Sequence, residues 1–272
     1  MRSPSTGSIV LVGAGNMGGA MLSGWLRNGV PGASITVLDP SPSEAMAHQI
    51  EEGGASHFAT PPAKLMAEVI ILAVKPQAMA TVLPPLKRIV SAETVVVSVA
   101  AGTTLRLLEE HLGEAAMVRA MPNTPAVISR GVTGAFANPR VTTAQRAQVD
   151  ALLKVSGPVE WVAQEADIDA VTAVSGSGPA YVFYLVECMA EAGRKLGLPA
   201  DLAMRLARET VSGAGELLHR SQEPASRLRQ NVTSPGGTTA AALAVLMAED
   251  GMQPLFDKAL GEARRRAEEL GS

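Results

Sequence analysis

Ile9-Val10-Leu11-Val12-Gly13-Ala14-Gly15-Asn16-Met17-Gly18 is the stretch on which the reading of the fold turns. Four apolar residues, rich in β-branched types, run directly into three glycines spaced G-x-G-x-x-G, and a helix-forming segment follows to about Leu26. Gly13 permits a tight strand-to-helix turn. Gly15 lets a pyrophosphate approach the backbone, and Gly18 lets helix and strand pack closely. The N–H groups of the turn and the positive end of the helix dipole then face an anion. By itself the motif also fits an ordinary tight turn. Here a second strand, residues 35–38, follows and ends at Asp39, 21 residues after Gly18. A carboxylate at that place accepts hydrogen bonds from an adenosine ribose, so the context implies a bound dinucleotide.

The pattern continues outward from this turn. Residues 69–74 and 94–99 are apolar runs of the kind found in strands covered on both faces. Weaker strands are expected at 117–121, 132–136 and 159–162, and helices at 43–52, 77–90 and 142–155. Such alternation predicts an α/β domain with a mostly parallel, doubly wound sheet. Strand signals stop near residue 164. Beyond it the expected helices are 177–196, opened by Ser177 as N-cap with Pro179 and closed by Gly197, then 199–218, 238–248 and 254–270. The expected domains are therefore 1–163, binding the dinucleotide, and 164–272, entirely helical.

The bulk composition excludes several classes. Of 272 residues 47% are hydrophobic and 18% charged, enough for a packed core and against disorder. The net charge of −3 comes without a basic stripe, so nucleic acid is not an expected partner. Arg264-Arg265-Arg266, followed by Glu268 and Glu269, is expected to be a solvated face with local ion pairs. Cys188 is the only cysteine, which excludes an internal disulfide and a multi-thiolate zinc site; its apolar surroundings predict a buried, unreactive thiol. No run of about eighteen apolar residues is present to span a membrane. The polar start Met1-Arg2-Ser3-Pro4-Ser5-Thr6 has no signal-peptide pattern, and the expected compartment is the cytoplasm. The four histidines are dispersed, and no GxSxG, Walker or HExxH motif occurs, so neither metal nor triad chemistry is expected.

Further segments look functional. Ala73-Val74-Lys75-Pro76 ends a buried strand, and the C-terminal ends of parallel strands face the ligand crevice. Lys75 could meet a ribose or phosphate there, or simply leave the sheet for water. The small residues Ser98-Val99-Ala100-Ala101-Gly102 leave room for a flat nicotinamide ring. In the helical part, Ser175-Gly176-Ser177-Gly178 holds more Ser and Gly than a helix cap needs. Ser234-Pro235-Gly236-Gly237-Thr238-Thr239 precedes a helix and has the composition of a backbone anion nest suited to a small carboxylate, although a capped turn has the same composition.

Together GAGNMG at 13–18, AVKP at 73–76, RAMPNTPA at 119–126, SGSGPAY at 175–181 and SPGGTT at 234–239 resemble the pyrroline-5-carboxylate reductase family across nearly the whole chain. The resemblance implies a Rossmann-like domain followed by a helical dimerisation domain, homo-oligomers, and reduction of 1-pyrroline-5-carboxylate to L-proline with NADPH or NADH. It implies that Gly13, Ala14, Gly15, Asn16, Met17, Gly18, Ala73, Val74, Lys75 and Pro76 contact the dinucleotide, and that Asn123 lies beside the nicotinamide. Ser234, Gly236, Gly237, Thr238 and Thr239 would contact substrate. The N–H groups of Gly236, Gly237 and Thr238 would hold its carboxylate and Thr239 its ring nitrogen. The family commonly carries an Asn before the AVKP strand, where this chain has Thr60. With Asp39, and no Arg or Lys between Asp39 and Gln49, this leans away from the family's usual NADPH toward NADH. The rival readings are a related imine or β-hydroxyacid reductase, whose expected helical-domain lysine is matched here only by Lys195 late in its helix, and a dinucleotide sensor without turnover.

Overall fold

The computed structural model describes residues 7–271. The polar start 1–6, with its expected lack of a targeting pattern, lies outside them. The chain divides into two compact units, one running to Gly176 and including the chain end from Ala263, the other Ser177–Glu262.

The first unit is a single eight-stranded sheet in the order β3-β2-β1-β4-β5-β6-β7-β8. Its strands are β1 (Ile9–Val12), β2 (Ile35–Leu38), β3 (Ser56–Phe58), β4 (Val69–Leu72), β5 (Val95–Ser98), β6 (Ala116–Met121), β7 (Thr133–Ala137) and β8 (Val159–Trp161). All neighbours pair in parallel except β6 and β7. That reversal has a local cause. Residues 122–132 between them contain a 3-10 turn, Thr124–Ile128, and no helix, whereas a parallel return needs a longer crossover, usually helical.

Helices cover both faces, as the continuous apolar strands require. On one face α1 (Asn16–Arg27) and α5 (Thr143–Leu153) bury Met21, Leu22, Trp25, Val149, Leu152 and Leu153 against Leu11, Ile71 and Val97. Trp25 is fully buried and satisfies its indole N–H on the Leu152 carbonyl at 2.8 Å. On the other face α3 (Met79–Leu86) and α4 (Leu105–Leu112) bury Met79, Leu83, Leu86, Leu105, Leu108 and Leu112 against Val10, Ile70 and Val96. Each such aliphatic side chain contributes about 1.5–3 kcal/mol through burial. The expected helix 77–90 is shortened to α3 with 3-10 turns on both sides. Pro84 and Pro85 inside it remove two N–H donors. A further helix of this unit, α2 (Glu44–Glu52), is capped by the Ser43 hydroxyl. β3 and α4 were not anticipated: the first is a three-residue exposed edge, the second a short helix capped by Thr104.

The units part at Gly176/Ser177, 13 residues beyond the boundary expected at 163/164. The intervening α6 (Asp167–Val171) and the π-turn Thr172–Gly176 are tied to the sheet instead. Arg119 on β6 donates to Asp169 at 2.6 Å, and a Cβ on Gly134 of β7 would lie 2.5 Å from Val171. The chain end also joins this unit, with Gly102 packed on the backbone of Leu270. Arg264 pairs with Glu268 and Arg266 with Glu269, both at 2.9 Å, and Arg265 also pairs with Glu269, the exposed ion pairs that the triple arginine predicts.

The second unit contains α7 (Gly178–Lys195), α8 (Ala200–Arg220), α9 (Ala225–Asn231), α10 (Thr238–Leu246) and the first part of α11 (Met252–Gly271). Small residues let α7 and α8 approach, since a Cβ on Gly193 would lie 3.3 Å from the Ala203 methyl. Ser177 occupies the N-cap of α7 but makes no side-chain cap, its backbone being already helical. α9, unanticipated, starts after Pro224. Among the described residues the buried side chains of α7 and α8 are Ala190, Ala203 and Ala207, while Phe183, Leu206 and Leu217 are exposed. Cys188 is exposed too, against the expectation of burial, because nothing in the single chain covers that face of α7.

Candidate functional site

The glycine turn is built as its spacing requires. Gly13 has φ +88°, a left-handed conformation that disfavours any side chain, and its N–H reaches the Leu38 carbonyl at 2.9 Å. A Cβ on Gly18 would stand 2.0 Å from the Gly13 carbonyl oxygen, so only glycine lets α1 start against β1. Gly15 differs: it is exposed, and a Cβ there would meet nothing within 4 Å. Its side of the turn is open to a ligand. The first turn of α1 carries no acidic residue, so the positive dipole end draws no counter-charge from its own helix. Asn16 is exposed and Met17 half-buried beside it, while Ala14 is buried.

Asp39 closes over this turn. Its Oδ2 accepts the Ala14 N–H at 2.7 Å and its Oδ1 the Ser41 N–H at 2.9 Å. On the backbone, the Asp39 N–H donates to the Phe58 carbonyl at 3.1 Å, and the Asp39 carbonyl lies 2.8 Å from His57 Nε2. The carboxylate is thus oriented by main chain, and a carboxylate retains further lone pairs for a ribose diol. The Ser43 hydroxyl accepts the Met46 N–H at 3.3 Å as the α2 cap, which leaves its own O–H available as a donor. Ala73 lies against the turn, its N–H on the Val12 carbonyl at 2.8 Å, and Val74 approaches Gly13. Lys75 is exposed at the start of the 3-10 turn opened by Pro76.

At the ends of the next strands, Ala100 is buried and Asn123 half-buried. The Asn123 Oδ1 accepts the Val132 N–H at 2.9 Å, which fixes the orientation of the amide. These residues share the carboxyl ends of adjacent strands, the crevice position in open α/β sheets. An open backbone at Gly15, a helix start with no acidic residue of its own and a carboxylate over the turn fit a dinucleotide.

Ser234, Gly236, Gly237, Thr238 and Thr239 are brought together on the helical unit, at the start of α10. Gly236 is left-handed with φ +70°, and Gly237 is the N-cap. The Gly237 N–H closes a turn on the Ser234 carbonyl at 3.0 Å. It is therefore engaged within the chain, which is a departure from its expected role as a carboxylate donor. The first N–H groups of a helix have no intrahelical acceptor, so those of Thr238 and Thr239 are the outward donors. Thr239 is half-buried; Ser234 and Gly236 are exposed.

One cluster was missed. Arg119 is 4% exposed as a side chain and pairs with Asp169 and Glu165. A signal existed: an arginine amid Met117-Val118 and Ala120-Met121 is a charge inside an apolar strand, which requires a buried partner. On α7, the Tyr184 hydroxyl is hydrogen-bonded to Cys188, which raises the phenol's pKa.

Against known proteins, the chain is 41% identical to the pyrroline-5-carboxylate reductase of Pseudomonas aeruginosa over 98% of its own length and 97% of the relative's. The chain belongs to the pyrroline-5-carboxylate reductase family. The family model described as pyrroline-5-carboxylate reductase dimerisation matches residues 165–270, and one described as NADP oxidoreductase coenzyme F420-dependent matches 8–102. The reductase structure from Coxiella burnetii superposes with TM-score 0.89 at 37% identity, covering 98% of this chain and 99% of that one. The Plasmodium falciparum enzyme, solved with NADP bound, gives TM-score 0.80 at 26% identity over 99% and 100%. The dimerisation match begins near the break in sequence pattern at 164, whereas the compact helical unit begins at 177, because α6 and the π-turn pack on the sheet. Among the described residues no helix is long and apolar enough to cross a membrane.

Proposed function

We propose that this protein reduces the C=N bond of 1-pyrroline-5-carboxylate to L-proline with a reduced nicotinamide dinucleotide, NADH in preference to NADPH. The observation that carries the reading is the open Gly15 turn beneath Asp39, on a chain that matches its reductase relatives end to end. When bound, the dinucleotide supplies the hydride that the imine carbon accepts. The α1 start and the backbone at 13–18 hold the pyrophosphate, Asp39 receives the ribose hydroxyls, and Lys75 and Pro76 border the crevice. Ala100 and Asn123 flank the nicotinamide.

On the substrate side, Ser234, Gly236 and the N–H groups at the start of α10 receive the carboxylate. The Thr239 hydroxyl accepts the N–H of the protonated, iminium form and so orients the ring. Hydride addition to the carbon quenches the positive charge on nitrogen, and the hydroxyl then relays a solvent proton to the amine lone pair. The NADH preference follows from charge: a carboxylate accepts from a 2′-hydroxyl and repels a 2′-phosphate. The helical unit is the surface of self-association. The test is cofactor oxidation by the purified protein with pyrroline-5-carboxylate, run with NADH and NADPH in parallel. Proline formation with the larger kcat/KM for NADH is expected; dinucleotide binding without turnover would overturn the proposal.

A further inference from the structure

Arg119 is a permanent positive charge in the middle of β6, and its surroundings explain how the sheet tolerates it. Residues 117 and 119 share a strand face, and Met117 packs with Leu105 and Leu108, so Arg119 rises beneath α4. Its Nη2 donates to Asp169 Oδ1 at 2.6 Å, and its Nη1 lies 3.6 Å from Glu165 Oε1. The same Glu165 oxygen accepts the N–H of Leu105, the first residue of α4, at 2.8 Å. Polar contacts therefore run from β6, through Glu165, to the helix start that closes loop 100–104. In the other direction Asp169 anchors α6, whose continuation lays Gly176 on Met121; a Cβ on Gly176 would lie 2.6 Å from the Met121 Cε. One guanidinium fixes the segments leaving the ends of both β5 and β6.

Apolar residues of similar volume generally pack a sheet as well as a buried ion cluster does. They cannot hold two separate segments by directed bonds, and that is what this cluster does. We infer that Arg119, Glu165 and Asp169 are positioning residues for hydride transfer, acting through loop 100–104 and segment 121–123. The inference rests on the proposed placement of the nicotinamide against Ala100 and Asn123. The three residues touch neither ligand in that placement. Their effect is on distance and angle, where an error of about 1 Å costs on the order of a hundredfold in rate.

The full-length variants Glu165→Ala and Glu165→Gln separate positioning from bulk stability. In Glu165→Ala, amide exchange of peptides covering 100–105 should rise while β1 and β4 peptides keep their protection. Its kcat should fall by roughly ten- to a hundredfold, with dinucleotide KM little changed. Glu165→Gln keeps an acceptor for Leu105 and should restore both the protection and most of kcat. Unchanged exchange at 100–105 in Glu165→Ala overturns the inference. So does exchange that rises across the whole sheet with kcat falling only as the folded fraction does. A wild-type protein that binds dinucleotide but does not reduce pyrroline-5-carboxylate overturns the proposed substrate instead, and the exchange comparison still decides the role of the cluster.

Discussion

A methyl group added to Gly15 would meet open space, whereas one added to Gly18 would collide with the Gly13 carbonyl. The two glycines therefore separate binding from folding. Gly15→Val should fold with an unchanged Tm and lose dinucleotide affinity by about thirtyfold, close to 2 kcal/mol. Gly18→Ala should lose about 1–3 kcal/mol of stability, because the atom it strikes is backbone and cannot rotate away. Normal cofactor affinity in Gly15→Val, read by fluorescence titration, would remove this turn from the site. Asp39→Asn keeps an acceptor for the Ala14 N–H but removes the charge. The NADH-to-NADPH ratio of kcat/KM should drop about tenfold, or 1.4 kcal/mol, and an unmoved ratio would mean that Asp39 does not set cofactor choice. Thr239→Ala should cut kcat/KM by roughly one to two decades, about 1.4–2.8 kcal/mol. A value equal to wild type would leave the hydroxyl without a role in the reaction.

β6, α4 and α6 illustrate what a buried charge does to the elements around it. Arg119→Met leaves Asp169, 12% exposed, without its cation. Breaking one side of such a pair costs about 3 kcal/mol, on the order of 10 °C in the Tm of a domain of this size. A thermal or urea unfolding curve matching wild type would show that the pair contributes nothing net. The elements that could be read from sequence are those with strong periodicity or firm caps. β1 and β4 were legible because fully buried strands are unbroken apolar runs, and β2 and β5 because only Thr36 and the closing Ser98 interrupt theirs. β3 was not, since all three of its residues are exposed and its existence depends on pairing with β2. The helix expected over 77–90 spans Pro84 and Pro85 without a break; α3 keeps both prolines inside it, and where its 3-10 ends fall depends on packing.

Across the whole molecule the two units differ in how they are stabilised. The sheet unit buries most of its large side chains within the chain, with Met66, Val127 and Ile128 among the exceptions, whereas the helical unit exposes Phe183, Leu206, Leu217, Val245 and Leu255. Each such residue, once covered, contributes about 1.5–3 kcal/mol, and this unit lies within the match to the dimerisation family model, which supports self-association. Sedimentation velocity should find a dimer or a larger assembly, and the double variant Phe183→Asp/Leu217→Asp should sediment as monomer. An unaltered mass for that variant would place the interface elsewhere. The same face decides the surroundings of Cys188, exposed in one chain although its neighbours in sequence are apolar.

The sequence by itself determined the doubly wound sheet, the glycine turn with Asp39, the all-helical second part and the family. Each of these is written in local patterns: periodicity, glycine spacing, helix start signals and short motifs. Tertiary structure decided the antiparallel β7, the commitment of the Gly237 N–H to Ser234 and of the Asp39 oxygens to Ala14 and Ser41, the place where the units part, and the Arg119 cluster. For Asp39 and Arg119 the deciding partner lies far along the chain: Ala14 is 25 residues from Asp39, and Asp169 is 50 from Arg119. A buried charge announces that it needs a partner, but only the packed fold brings that partner within 2.6 Å.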